Sequence, residues 1–256
     1  MSEKSVVITS KSENLILDKI TWRHVMATLM MLIGCFVVLL LYNKIGNGRH
    51  YIASGIEIAI SIAGYLLLFR GRKPYAREIA TIGVLVFIGV IGRAIFAMIP
   101  HFKPMCGLIM IGAMALGGPG GFMVGTLTAF CSNILFGQGQ WTPWQMFAYG
   151  VGGLLIGWFY RLRIVGKKRL IPTAIICGFV VVAVVGPLLD VSTVFSADMG
   201  FQPEIFAMYF KSGLPVNIIH AACTVLTVLV MTRPMLNRLD RMKVKFGMFG
   251  SYRKQQ

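Results

Sequence analysis

The chain has 256 residues, of which 56% are hydrophobic and only 13% charged, and its mean hydropathy is +0.74. That balance excludes a soluble globular domain and reads as a polytopic membrane protein. The formal net charge of +16 is distributed over short loops between apolar runs, a pattern of membrane topology and not of a nucleic-acid-binding face.

In chain order, a polar tail of mixed charge comes first, without the apolar stretch and small-residue cleavage site of a signal peptide, so it is expected to be retained. Eight apolar segments follow, at 24–42, 51–69, 78–100, 105–117, 119–136, 144–160, 171–189 and 207–232. A hydrocarbon core about 30 Å thick needs about 20 helical residues. The fourth segment reaches only about 20 Å at 1.5 Å per residue, so it is too short to cross alone and leaves room above it.

The loops carry the orientation. With the N-terminus inside, all but five of the 25 Lys and Arg residues fall in inside segments, the exceptions being Lys44, Arg49, Arg93, Lys103 and Lys211. Positive residues favour the cytoplasmic side, so both termini are expected there. The stretch "NILFGQGQWTPWQMF" (133–147), the loop "PHFKP" (100–104) and the acidic loop 190–208 then face outward.

Small residues at every fourth position let helices approach closely in lipid. Three rows are expected to pack in this way: Gly121, Gly125, Ala129 and Asn133; Gly55, Ala59 and Ala63; Gly153 and Gly157. "GGPGG" (117–121) reads as a tight turn with Pro119 in the first helical turn. In "WTPW", Thr142 is expected to N-cap a helix that Pro143 starts.

Charge inside a span is costly and marks a pair or a wet cavity. Arg93, about 10 Å from the outer end of its helix, either pairs with Glu57 or Asp190 or meets an anionic or carbonyl-bearing ligand from outside. Asn217 and His220 share one helical face and either bond across helices or reach a ligand. Lys103 is an interface anchor or a ligand contact. Asn133, Gln138, Gln140, Trp141, Trp144 and Gln145 combine aromatic walls with amides, the mixture that lines ligand pockets. Cys35, Cys106, Cys131, Cys177 and Cys223 lie singly in apolar runs, so no metal site or cofactor is expected. With no phosphate loop, HExxH or GxSxG, no enzymatic activity is expected either.

"GRAIFAMIPHFKP", "GGPGGFMVG", "SNILFGQGQWTPWQMFAYG" and "GLPVNIIHA" together resemble the substrate-specific S components of energy-coupling factor (ECF) vitamin transporters, and FGQGQWTPWQM (136–146) is the most specific part. The resemblance covers roughly 78–234. It implies an all-α, six-helix S-component-like bundle (78–232), here preceded by a cytoplasmic tail (1–23) and two extra transmembrane helices (24–77). A basic cytoplasmic tail (233–256) follows, expected to hold to anionic lipid headgroups of the bilayer.

The resemblance further implies a multi-pass subunit of a prokaryotic cell membrane that captures a vitamin or related micronutrient, with cobalamin or a precursor first and riboflavin, folate, a modified nucleobase or another small vitamin as the alternatives. It would release the vitamin inside on docking with a T subunit and two ATPase subunits. The substrate-binding residues would be Arg93, Lys103, Asn133, Gln138, Trp141, Trp144, Gln145, Asn217 and His220.

The sequence departs from the family pattern in two further places. The first core helix lacks the AxxxA docking motif, leaving Gly83, Gly89 and Gly92 as its small residues. The last-helix pattern PxDxxHAxxN reads Pro215, Asn217, His220, Ala221 and Thr224. Competing readings are an ion-coupled secondary transporter, which calls for repeats and titratable groups at the midplane, and a membrane sensor or scaffold.

Overall fold

The computed structural model describes residues 21–45, 49–69, 74–196, 203–246 and 248. The N-terminal tail to residue 20, part of the acidic loop (197–202) and the last residues of the C-terminal tail lie outside them.

Among the described residues every regular element is helical. The helices are α1 (Trp22–Ile45), α2 (His50–Leu66), α3 (Ala76–Ile95), α4 (Met105–Leu116), α5 (Gly118–Phe136), α6 (Thr142–Arg161), α7 (Leu170–Val180), α8 (Gly186–Ser196) and α9 (Pro203–Phe246). A π-helical turn, Val181–Val185, joins α7 to α8. Five stretches are long and apolar enough to cross a membrane: Trp22–Asn43, Ala76–Ile95, Gly118–Phe136, Leu170–Val194 and Glu204–Phe246. The chain is an all-α polytopic membrane protein.

Local chemistry sets the boundaries. Glu78 Oε2 accepts from the Tyr75 amide at 2.8 Å and closes a capping box at the start of α3. Gly117 has φ +83° and ends α4, and Pro119 stands in the first turn of α5. Pro187 has no amide proton to return to the preceding turn, and the widened π turn comes immediately before it.

The tightest pairing joins α5 to α6, backbone against backbone. A Cβ on Gly125 would stand 2.4 Å from the Tyr149 carbonyl oxygen, one on Gly121 would stand 2.6 Å from that of Gly153, and one on Gly157 would stand 2.5 Å from the Gly117 carbonyl carbon. Two of the three small-residue rows therefore pack as their spacing indicates. The third does not: Gly55, Ala59 and Ala63 are exposed, and a Cβ on Gly55 would meet nothing within 4 Å. The opposite face of α2, carrying Ser54, Glu57, Ser61 and Gly64, is the buried one.

The short helix α4 is the hub, buried from Met105 to Ala115 and in contact with α3, α5, α6 and α9. α9 spans about 66 Å at 1.5 Å per residue, so it continues as a packed helix into the segment expected to be a tail. Lys243 Nζ donates to the Ala115 carbonyl at the end of α4, Lys167 pairs with Asp240 at 2.9 Å, and Arg77 lies 4.5 Å over the Phe246 ring. The space left by the short helix at this end is thus occupied by α9.

The α1–α2 hairpin packs on α5 and α6. Trp158 Nε1 donates to Thr28 Oγ1 at 3.1 Å near one end, and Trp144 Nε1 to Asn43 Oδ1 at 3.5 Å near the other.

Because Gly125 touches backbone that cannot rotate away, Gly125→Ala is expected to destabilise the purified protein by about 1–3 kcal/mol. Gly55→Ala on the open face should leave stability unchanged. Thermal unfolding in detergent checks the pair, and equal midpoints for both variants would contradict the packing described.

Candidate functional site

The end of the bundle that carries Arg93 is organised by Asn133, which is fully buried in the last turn of α5. The α5–α6 contact brings it against the start of α6. There its Nδ2 donates to Gln145 Oε1 at 2.9 Å and to Thr142 Oγ1 at 3.2 Å. The same hydroxyl accepts from the Gly139 amide at 3.1 Å, folding the loop back on the helix. Helix α6 begins at Thr142 with Trp141 in the N-cap position, one residue earlier than the sequence indicates. Thr142 therefore braces the loop and Asn133 and does not cap the helix.

Arg93 reaches across from α3 to this network. Its Nη1 donates to Asn133 Oδ1 at 2.9 Å and to Ser132 Oγ at 2.5 Å, and the guanidinium lies 4.6 Å over the Phe136 ring. Neither acid considered from the sequence pairs with it. Glu57 is fully buried, with both carboxyl oxygens lacking a hydrogen-bond partner among the described residues, and Asp190 accepts from Asn217 Nδ2 at 2.8 Å. Arg93 stands in the last turn of α3, and Glu57 lies on the inward-packed face of α2.

The two tryptophans divide. Trp141 is 45% exposed and lies flat against the loop, where a Cβ on Gly139 would fall 2.5 Å from its ring. Trp144 is only 3% exposed, and its Nε1 is directed toward Asn43 on α1. Gln138 Nε2 donates to the Phe130 carbonyl at 3.1 Å, which leaves its buried Oε1 without a partner.

A second group gathers beside the first. The loop between α3 and α4 carries His101, at φ +59°, and the half-buried Lys103. The ring of His220 on α9 stands 6.4 Å from that of His101, and its buried Nε2 has no partner. Burial, with Arg93 nearby, lowers the Lys103 ammonium from its ordinary pKa. Asn217, one turn earlier, is held by Asp190. Eight of the nine candidate residues thus form two adjoining clusters, Arg93–Asn133–Gln145 with Gln138 and Trp141 of the 137–141 loop, and Lys103–His220 with Asn217, while Trp144 lies toward α1.

Sequence reasoning missed Ser132, Phe136 and His101. Ser132 and Phe136 are four apart on α5, a spacing that places them together on the face Arg93 meets. An open pocket lined by Trp22, Arg23, Met26, Leu66, Leu67 and Phe69 lies at the opposite end, away from all the candidates.

The family model for the ECF-type riboflavin transporter S component matches residues 73–239. The chain belongs to this S-component family. The match begins after α2 and ends within α9, so it contains both clusters and leaves the N-terminal hairpin outside. Comparisons with curated proteins and with solved structures give no match.

Asn133→Leu removes the amide that joins Arg93, Thr142 and Gln145 and takes one hydrogen bond from each, at a cost of about 1–3 kcal/mol. Trp141→Ala at the exposed loop is expected to leave the unfolding midpoint nearly unchanged. A larger loss from Trp141→Ala than from Asn133→Leu would reverse the roles assigned here.

Proposed function

We propose that the chain is the substrate-binding membrane subunit of an ATP-driven ECF-type importer, capturing a vitamin at the Arg93 end of the bundle. The observation that carries this reading is the family match across residues 73–239, which takes in every candidate binding residue. The Lys and Arg bias of the loops supports an outward-facing Arg93 end and cytoplasmic termini in a prokaryotic cell membrane. The energy of transport would come from a T subunit and two ATPase subunits, with residues 78–232 as the transporting core.

The mouth of the site is formed by the 137–141 loop, the loop 96–104 and the outer parts of α8 and α9. Trp141 offers an aromatic wall and Gln138 an amide oxygen with no partner among the described residues, while Asn133 and Gln145 hold the helix entrance behind them, a combination suited to a planar conjugated ring with polar edges. The family description names riboflavin, which makes a flavin the first compound to test. Cobalamin, expected from the resemblance, has no support from that description and is the second.

An ion-coupled carrier is less favoured. Glu57, the acid it would depend on, lies in the hairpin outside the family match and away from the candidate site.

The test is calorimetric titration of the purified chain with riboflavin, cobalamin and a panel of other vitamins. One compound is expected to bind at submicromolar concentration. Trp141→Ala should lose that binding while membrane insertion and thermal stability persist. Absence of heat and of thermal shift across the panel would refute the reading.

A further inference from the structure

Arg93 and Lys103 are both half-buried and act on each other electrostatically. Two like charges held partly out of water raise each other's energy, and desolvation adds to the cost. Such a pair is stable where a negative group completes it, and among the described residues none does. Arg93 donates to the neutral oxygens of Ser132 and Asn133 and lies over Phe136. No carboxylate pairs with Lys103, and Asp190 is taken up by Asn217.

His220 adds a second vacancy for an acceptor. It lies within electrostatic reach of Lys103, His101 and Arg93, and its Nε2 is buried with no partner. A buried ring nitrogen left without a hydrogen-bond partner is costly, and in the tautomer that protonates Nε2 it donates. His101 holds a left-handed backbone conformation that is uncommon for a residue with a Cβ. That turn of the loop carries the His101 ring to 6.4 Å from the ring of His220, with Lys103 two residues further on.

The geometry points to an anion-accepting subsite: Lys103 and His220 bind a carboxylate or phosphate group of the captured compound, and Arg93 supplies positive field behind them. This rests on the reading of the Arg93 end as the ligand mouth and narrows the substrate to compounds with an anionic group. An ammonium and an imidazole N–H both donate, and charge-assisted bonds to anionic oxygen are the stronger kind. Anionic lipid headgroups carry the same oxygens, so the test separates the two sources.

The full-length chain in phosphatidylcholine nanodiscs is titrated calorimetrically with compounds in pairs: flavin mononucleotide against riboflavin, pantothenate against pantothenol, and biotin against biotinamide. In the pair that binds, the anionic member should bind at least about tenfold more tightly. Lys103→Met should erase that difference and Lys103→Arg, which keeps the charge, should retain it.

A neutral member binding as tightly as its anionic partner overturns the proposal and leaves vitamin binding standing. Absence of binding by any member overturns both. A preference that disappears when phosphatidylglycerol replaces phosphatidylcholine assigns the charges to a headgroup and also overturns it.

Discussion

The backbone contact between α5 and α6 is the constraint on which the candidate site depends. Gly121, Gly125, Gly153 and Gly157 let the two helices meet carbonyl against Cα, an approach that membrane helices achieve through small residues because lipid supplies no hydrophobic drive. The closeness has a geometric consequence one end away. It brings Asn133, in the last turn of α5, within hydrogen-bond reach of Thr142 and Gln145 at the start of α6. The loop between them is short, turns through Gly137 at φ +101° and is pinned by the Thr142 hydroxyl.

The polar network that follows is neutral except for Arg93. A guanidinium bonded to a hydroxyl and an amide and stacked on a phenyl ring is well held, but its charge is not cancelled. Lys103 stands nearby, half-buried like Arg93. At the other end the logic is reversed. Lys167 has Asp240 as its counter-ion, and Lys243 caps the carbonyl end of α4. Among the described residues these two lysines of the basic end have partners, whereas Lys103 has no carboxylate.

Much of this was legible in the sequence. Segment positions, the short fourth helix, the glycine rows on α5 and α6 and the family resemblance all follow from local pattern, because length, hydropathy and spacing are local properties. Partner choice is not. The spacing of Gly55, Ala59 and Ala63 equals that of a packing row, yet the chain buries the opposite face of α2, where Ser54 and Glu57 lie.

Arg93 had two acids as plausible partners, and the structure gives it Ser132, Asn133 and Phe136, because helix rotation and depth decide contacts that sequence distance does not encode. Trp141 and Trp144 read alike in sequence. One turn of helix separates an exposed ring from a buried one. Thr142 carried a capping signal, but the helix begins one residue earlier and its hydroxyl serves the loop. The basic segment after Thr232 read as a tail because its charge is high, whereas α9 continues into it as far as Phe246 and packs against α4.

The central claim is that this chain binds the cargo and other chains supply the energy. The most direct measurement is uptake of the radiolabelled vitamin into cells that express this chain alone, or together with a T subunit and two ATPase subunits. The account predicts ATP-dependent accumulation only when the partner subunits are present, and their co-purification with this chain. Accumulation by the chain alone, driven by an ion gradient, would contradict it.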